Sequence, residues 1–131
     1  MLNKSGITKT SYAAPTQILF NVANQMSVGI TLAKNFSGAV TENGRKIVKA
    51  GTPLAGDLTA RGTAFTAPTG TGAANTSVGV LLHDVDVTDA AANATLLIWG
   101  FVDLNKIDTT TAALITTDVK TALKGSVTFL K

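Results

Sequence analysis

Ser77-Val78-Gly79-Val80-Leu81-Leu82-His83-Asp84-Val85-Asp86-Val87-Thr88-Asp89, then an alanine-rich link, then Thr95-Leu96-Leu97-Ile98-Trp99-Gly100-Phe101-Val102-Asp103-Leu104, is the stretch on which the rest of the chain depends. Two apolar runs rich in branched side chains, joined by a polar connection, predict two buried strands of one sheet. Trp99 and Phe101 flank Gly100 and therefore share a face of the second strand. For that pair, a place in the core or at a subunit contact is a better reading than a ligand-stacking platform.

Upstream of this stretch, Thr59 to Thr76 is almost entirely Thr, Ala, Gly and Pro, with Phe65 as its one large anchor. It reads as a long surface loop that crosses a subunit boundary, because loops of this length usually carry a task. Pro53, in Gly51-Thr52-Pro53-Leu54, has no N–H to donate and excludes a central strand position there. Lys46 to Lys49 forms a strand after Asn43-Gly44, the strongest short hairpin signal a sequence can carry. Ser27 to Ala33 alternates Val28, Ile30 and Leu32 with small polar residues, the period of a half-buried strand. Gln17 to Met26 begins with Ile18-Leu19-Phe20 and fits either a strand or a short helix. Residues 1–16 show neither period and read as a flexible arm.

Downstream, Asn105 to Thr111 reads as a polar connection. Thr116 or Thr117 then caps a short helix, with Asp118 in its first turn, Lys124 in its last, and Gly125 at the left-handed stop. Val119 and Leu123, four apart, give it an inward face, and Val127-Thr128-Phe129-Leu130 closes the chain as a strand.

Composition narrows the function. The 131 residues suit one domain, and nineteen alanines against seven aromatic residues make a thin core that gains from burial against a partner subunit. Charged residues are 15% of the chain, low for a surface facing only water, and threonine fills much of the rest. The net charge of +3 comes from scattered basic residues without interleaved aromatics, which argues against nucleic acid as a partner. Without cysteine there is no disulfide and no thiolate metal site. No signal-peptide core or membrane-length apolar run is present, so no membrane partner is expected.

The chemistry-bearing residues converge on no reaction. Asp84-Val85-Asp86 after an apolar strand resembles the first motif of haloacid-dehalogenase-type phosphatases, yet the downstream acidic pair of that family is missing. Read as a calcium loop from Asp84, the sixth position is Asp89 instead of glycine and the twelfth is Thr95 instead of glutamate. His83 is the only histidine, which excludes a histidine-rich zinc site, and no Gly-x-Ser-x-Gly elbow presents a serine. The expectation is a non-enzyme without cofactor or metal, whose aspartates hold a solvated turn by accepting backbone N–H groups.

Gly51-Thr52-Pro53-Leu54, Ser77 to Leu82 and Thr95 to Val102, followed by the helix and Val127-Thr128-Phe129-Leu130, make a succession that resembles the head decoration proteins of tailed phages. These comprise the lambda-type decoration proteins and the head fiber proteins of phages infecting Gram-positive bacteria. The match covers residues 45–131. It implies a β-clip-like fold, a homotrimer on the capsid, the major capsid protein as partner, and an N-terminal arm that orders on the shell. The combined expectation is a mainly β protein: one small β-clip-like or β-sandwich-like domain over residues 17–131, one short C-terminal helix, and a flexible arm over 1–16. Tyr12, Pro15, Ile18, Leu19 and Phe20 are the candidate capsid contacts, and Phe65, Trp99 and Phe101 the candidate subunit contacts. The expected function is to decorate and stabilise the capsid outer surface, with the protein made in the host cytoplasm and residing on the virion. The alternative is a head fiber base or a carbohydrate-binding module using the Thr59 to Thr76 loop.

Overall fold

Strand Ala92–Asp103, the longest among the described residues, has neighbours along both of its edges and organises everything else. The computed structural model describes residues 17–20 and 25–131. In chain order the strands are β1 (Gln25–Leu32), β2 (Val40–Glu42), β3 (Arg45–Val48), β4 (Pro53–Leu54), β5 (Gly79–Leu81), β6 (Val85–Asp86), β7 (Ala92–Asp103) and β8 (Val127–Leu130). The protein is mainly β, with 38% strand, arranged in two sheets, and 14% helix among the described residues.

The larger sheet has the order β1-β7-β5-β4, and β8 joins β7 in parallel at Gly100 to Asp103. One edge of β7 is covered first by β1 and then by Ile18 to Phe20, where Leu19 bridges Val102. The other edge is covered by β5 and then by β8. Pro53 lies in β4, the terminal strand of the order, where a missing N–H costs no ladder bond.

The unbroken apolar runs follow from burial on both faces of this sheet. Val80, Leu82, Leu97 and Val102 face one cluster, built with Ile107, Ile115, Val119, Leu123 and Val127. Leu81 and Leu96 face a second cluster, built with Ile30, Leu32, Phe36, Val48, Leu54, Phe65 and Val87. The first cluster is roofed by α2 (Thr117–Ala122), whose Thr116 side chain accepts from the Val119 N–H as N-cap, and Gly125 at φ +86° ends that segment. The connection before it contains a 3-10 turn (Leu104–Lys106) and a further short helix, α1 (Thr109–Ala112), capped by Asp108, so the C-terminal region carries three helical pieces where one was expected.

The second cluster is closed by the smaller sheet, of order β2-β3-β6. Asn43 and Gly44, at φ 51° and 78°, make the two-residue turn between β2 and β3, both residues left-handed as a type I′ hairpin requires. The segment expected to be a solvated turn instead leaves β5 and crosses to this sheet, where Val85 pairs with Val48 and Asp86 with Ile47. Val87 is fully buried as a result. Phe65 ties the long loop down: its N–H donates to Thr31 O, and its side chain fills the second cluster.

Candidate functional site

Register creates the most exposed apolar surface among the described residues. Pairing of β1 with β7 runs from Met26↔Trp99 to Ser27↔Leu97, so Ile98 is left over as a bulge. That extra residue switches the parity of β7, and Leu97 and Val102, five apart, both point into the first cluster. Beyond the bulge Trp99 and Phe101 point to the other face, past Ile98, the last β7 residue packed on the second cluster. Nothing in the second cluster covers them.

Their neighbours extend the patch. Met26 is the direct cross-strand partner of Trp99 and shares its face. Phe20 donates its N–H to Phe101 O across the same edge, which sets its side chain beside Phe101. Phe20, Met26 and Trp99 are 59%, 58% and 45% exposed, more than any other large apolar residue among the described residues. Trp99 and Phe101 meet edge to face at 6.2 Å between ring centroids, which holds both rings outward in a defined geometry.

The expected site residues separate accordingly. Phe20, Trp99 and Phe101 come together in this patch. Ile18 and Leu19, expected to reach the capsid, are instead 0% and 1% exposed in the first cluster, because their backbone extends the β1 edge of β7 and turns them inward. Phe65, expected at a subunit contact, is 1% exposed and serves the second cluster, so the loop around it offers no aromatic face to a sugar. Tyr12 and Pro15 lie outside the described residues. Met26 was missed because alternation in one strand does not reveal which distant residue stands across from it.

The acidic segment is held by charge. The Arg45 guanidinium donates to Asp86 and Asp89, and Lys49 Nζ lies 2.7 Å from Glu42 and 3.9 Å from Asp84. The hydrogen bond from Arg45, helped by those from Thr88, lowers the Asp86 carboxyl to about 2. Lys49 is shifted upward by its bond to Glu42. Asp84 Oδ1 accepts the Ala50 N–H at 2.7 Å, tying the end of β5 to the residue after β3 and Lys49. The Arg45 and Glu42 pairs brace the smaller sheet internally, and Asp84 alone ties it to the end of β5 in the larger one. Among the described residues no three His, Asp or Glu side chains gather as metal ligands, and no helix is long and apolar enough to cross a membrane. Compared with protein-family models and with curated proteins, the chain matches none.

Proposed function

We propose that this chain is a structural virion protein that decorates the outer surface of a tailed-phage capsid and stabilises it through contacts with the major capsid protein and with copies of itself. The observation that carries this reading is the aromatic and methionine patch of Phe20, Met26, Trp99 and Phe101. Large contiguous apolar surface on a protein is a mark of partner contact, and aromatic residues and Met are the types enriched at such contacts. The thin core, sparse charge and threonine-rich surface support the same reading, as does the resemblance over residues 45–131. In the homotrimer this reading proposes, the patch is buried between neighbouring copies.

The chain is expected to be made in the host cytoplasm and to reside on the virion. Co-sedimentation with expanded, undecorated capsids tests the reading. Saturable binding at a fixed ratio to the capsid protein is expected, and protein that stays in the supernatant at every concentration would refute it.

A further inference from the structure

We infer that the pole of the molecule formed by α2 and β8 is a docking site for an acidic segment of a partner protein that also carries an apolar side chain. Two clefts meet at Lys120. The larger, about 510 Å3, is lined by Leu104, Ile107, Ala112 and Ile115 with Lys120 and Lys131 at its sides. The smaller, about 210 Å3, runs between Lys120, Lys124, Val127 and Phe129. No acidic residue lines either cleft.

Charge selects the occupant. The ion pairs among the described residues all use Arg45 or Lys49, at the other sheet, so Lys120, Lys124 and Lys131 have no carboxylate within 4 Å there. All three lysines are exposed. Asp118, on the same helix, is directed away and accepts the Gly72 N–H. Three unneutralised ammonium groups around two apolar hollows complement a chain that alternates carboxylates with apolar side chains, and such complementarity sets specificity and encounter rate. A phosphate backbone would meet the lysines but leave the hollows empty, and no stacked aromatic platform accompanies them.

On the decoration reading the partner segment belongs to the capsid protein, but the chemistry stands without that reading and its test needs no capsid. The isotope-labelled full chain is titrated, by backbone amide NMR, with a blocked octapeptide alternating Glu and Leu. Shifts confined to Leu104 through Lys131 are expected, weakening as salt rises from about 0.05 to 0.5 M, where the screening length falls several-fold. Lys120→Gln/Lys124→Gln/Lys131→Gln should weaken binding at least about tenfold while leaving the spectrum dispersed, and the triple arginine variant should restore it. Absence of shifts at millimolar peptide would overturn the inference, as would shifts elsewhere, equal binding of a Lys-Leu peptide, or equal binding of a single-stranded oligonucleotide of the same charge.

Discussion

Arg45 stands between Asp86 and Asp89, and the first of these carboxylates records the contact. Because Asp86 is lowered to about 2 in the folded chain, its contribution to stability is fully present above the ordinary carboxylate value near about 4. It is lost as pH falls from there through about 2. Carboxyl-carbon NMR should place the Asp86 midpoint near about 2 in the wild type, and Arg45→Gln should move it upward. The midpoint should stay below about 4 because the Thr88 bonds remain. An unchanged midpoint in the variant would show that Arg45 is not the cause. Gly79 makes a different residue-scale point. A β-carbon there would collide with the Leu97 carbonyl oxygen, a backbone atom of the central strand that has no room to yield. Gly79→Ala should therefore lower the melting temperature by at least about 5 °C, the size expected for overpacking a strand pair. A melting temperature equal to that of wild type would mean that β5 approaches β7 less closely.

Strand β7 separates two clusters, and adjacent side chains test that directly. Leu96 faces the second cluster and Leu97 the first, both fully buried. Leu96→Ala and Leu97→Ala should each cost roughly 2–5 kcal/mol by denaturant unfolding, whereas a strand with one wet face would show one costly and one near-neutral substitution. Much of this element was legible in the sequence, since burial on both faces leaves runs such as Val80-Leu81-Leu82 without polar interruption. Asn43-Gly44, Thr116 and Gly125 were legible because turn and cap chemistry is local. What was not legible is set by contacts far apart in the chain. Phe65 in a threonine-rich loop carries no period, yet one hydrogen bond to Thr31 and a gap in the second cluster draw it inside. Helix α1 is mostly threonine, a weak helix former, and exists because Asp108 caps it and Thr111 is buried. The patch was half legible: Trp99 and Phe101 share a face by alternation, but their meeting with Met26 and Phe20 depends on strand register and the bulge at Ile98.

At the scale of the whole molecule, the exposed apolar face and a core with few aromatic residues are the features that the proposed trimer would bury and reinforce. Sedimentation equilibrium should find a trimer. Met26→Ser/Trp99→Ser should shift it toward monomer and abolish the rise of melting temperature with protein concentration expected of the wild type, since both side chains are exposed in the single chain and only burial between copies is lost. A wild-type protein that remains monomeric from micromolar to near-millimolar concentration would count against a preformed trimer. The decisive measurement is electron cryo-microscopy of expanded, undecorated capsids mixed with the purified protein. Added density at three-fold and quasi-three-fold positions is expected, fitted by three copies with Phe20, Met26, Trp99 and Phe101 buried at contacts. Bare shells at saturating protein, or bound copies with that face turned to solvent, would contradict it.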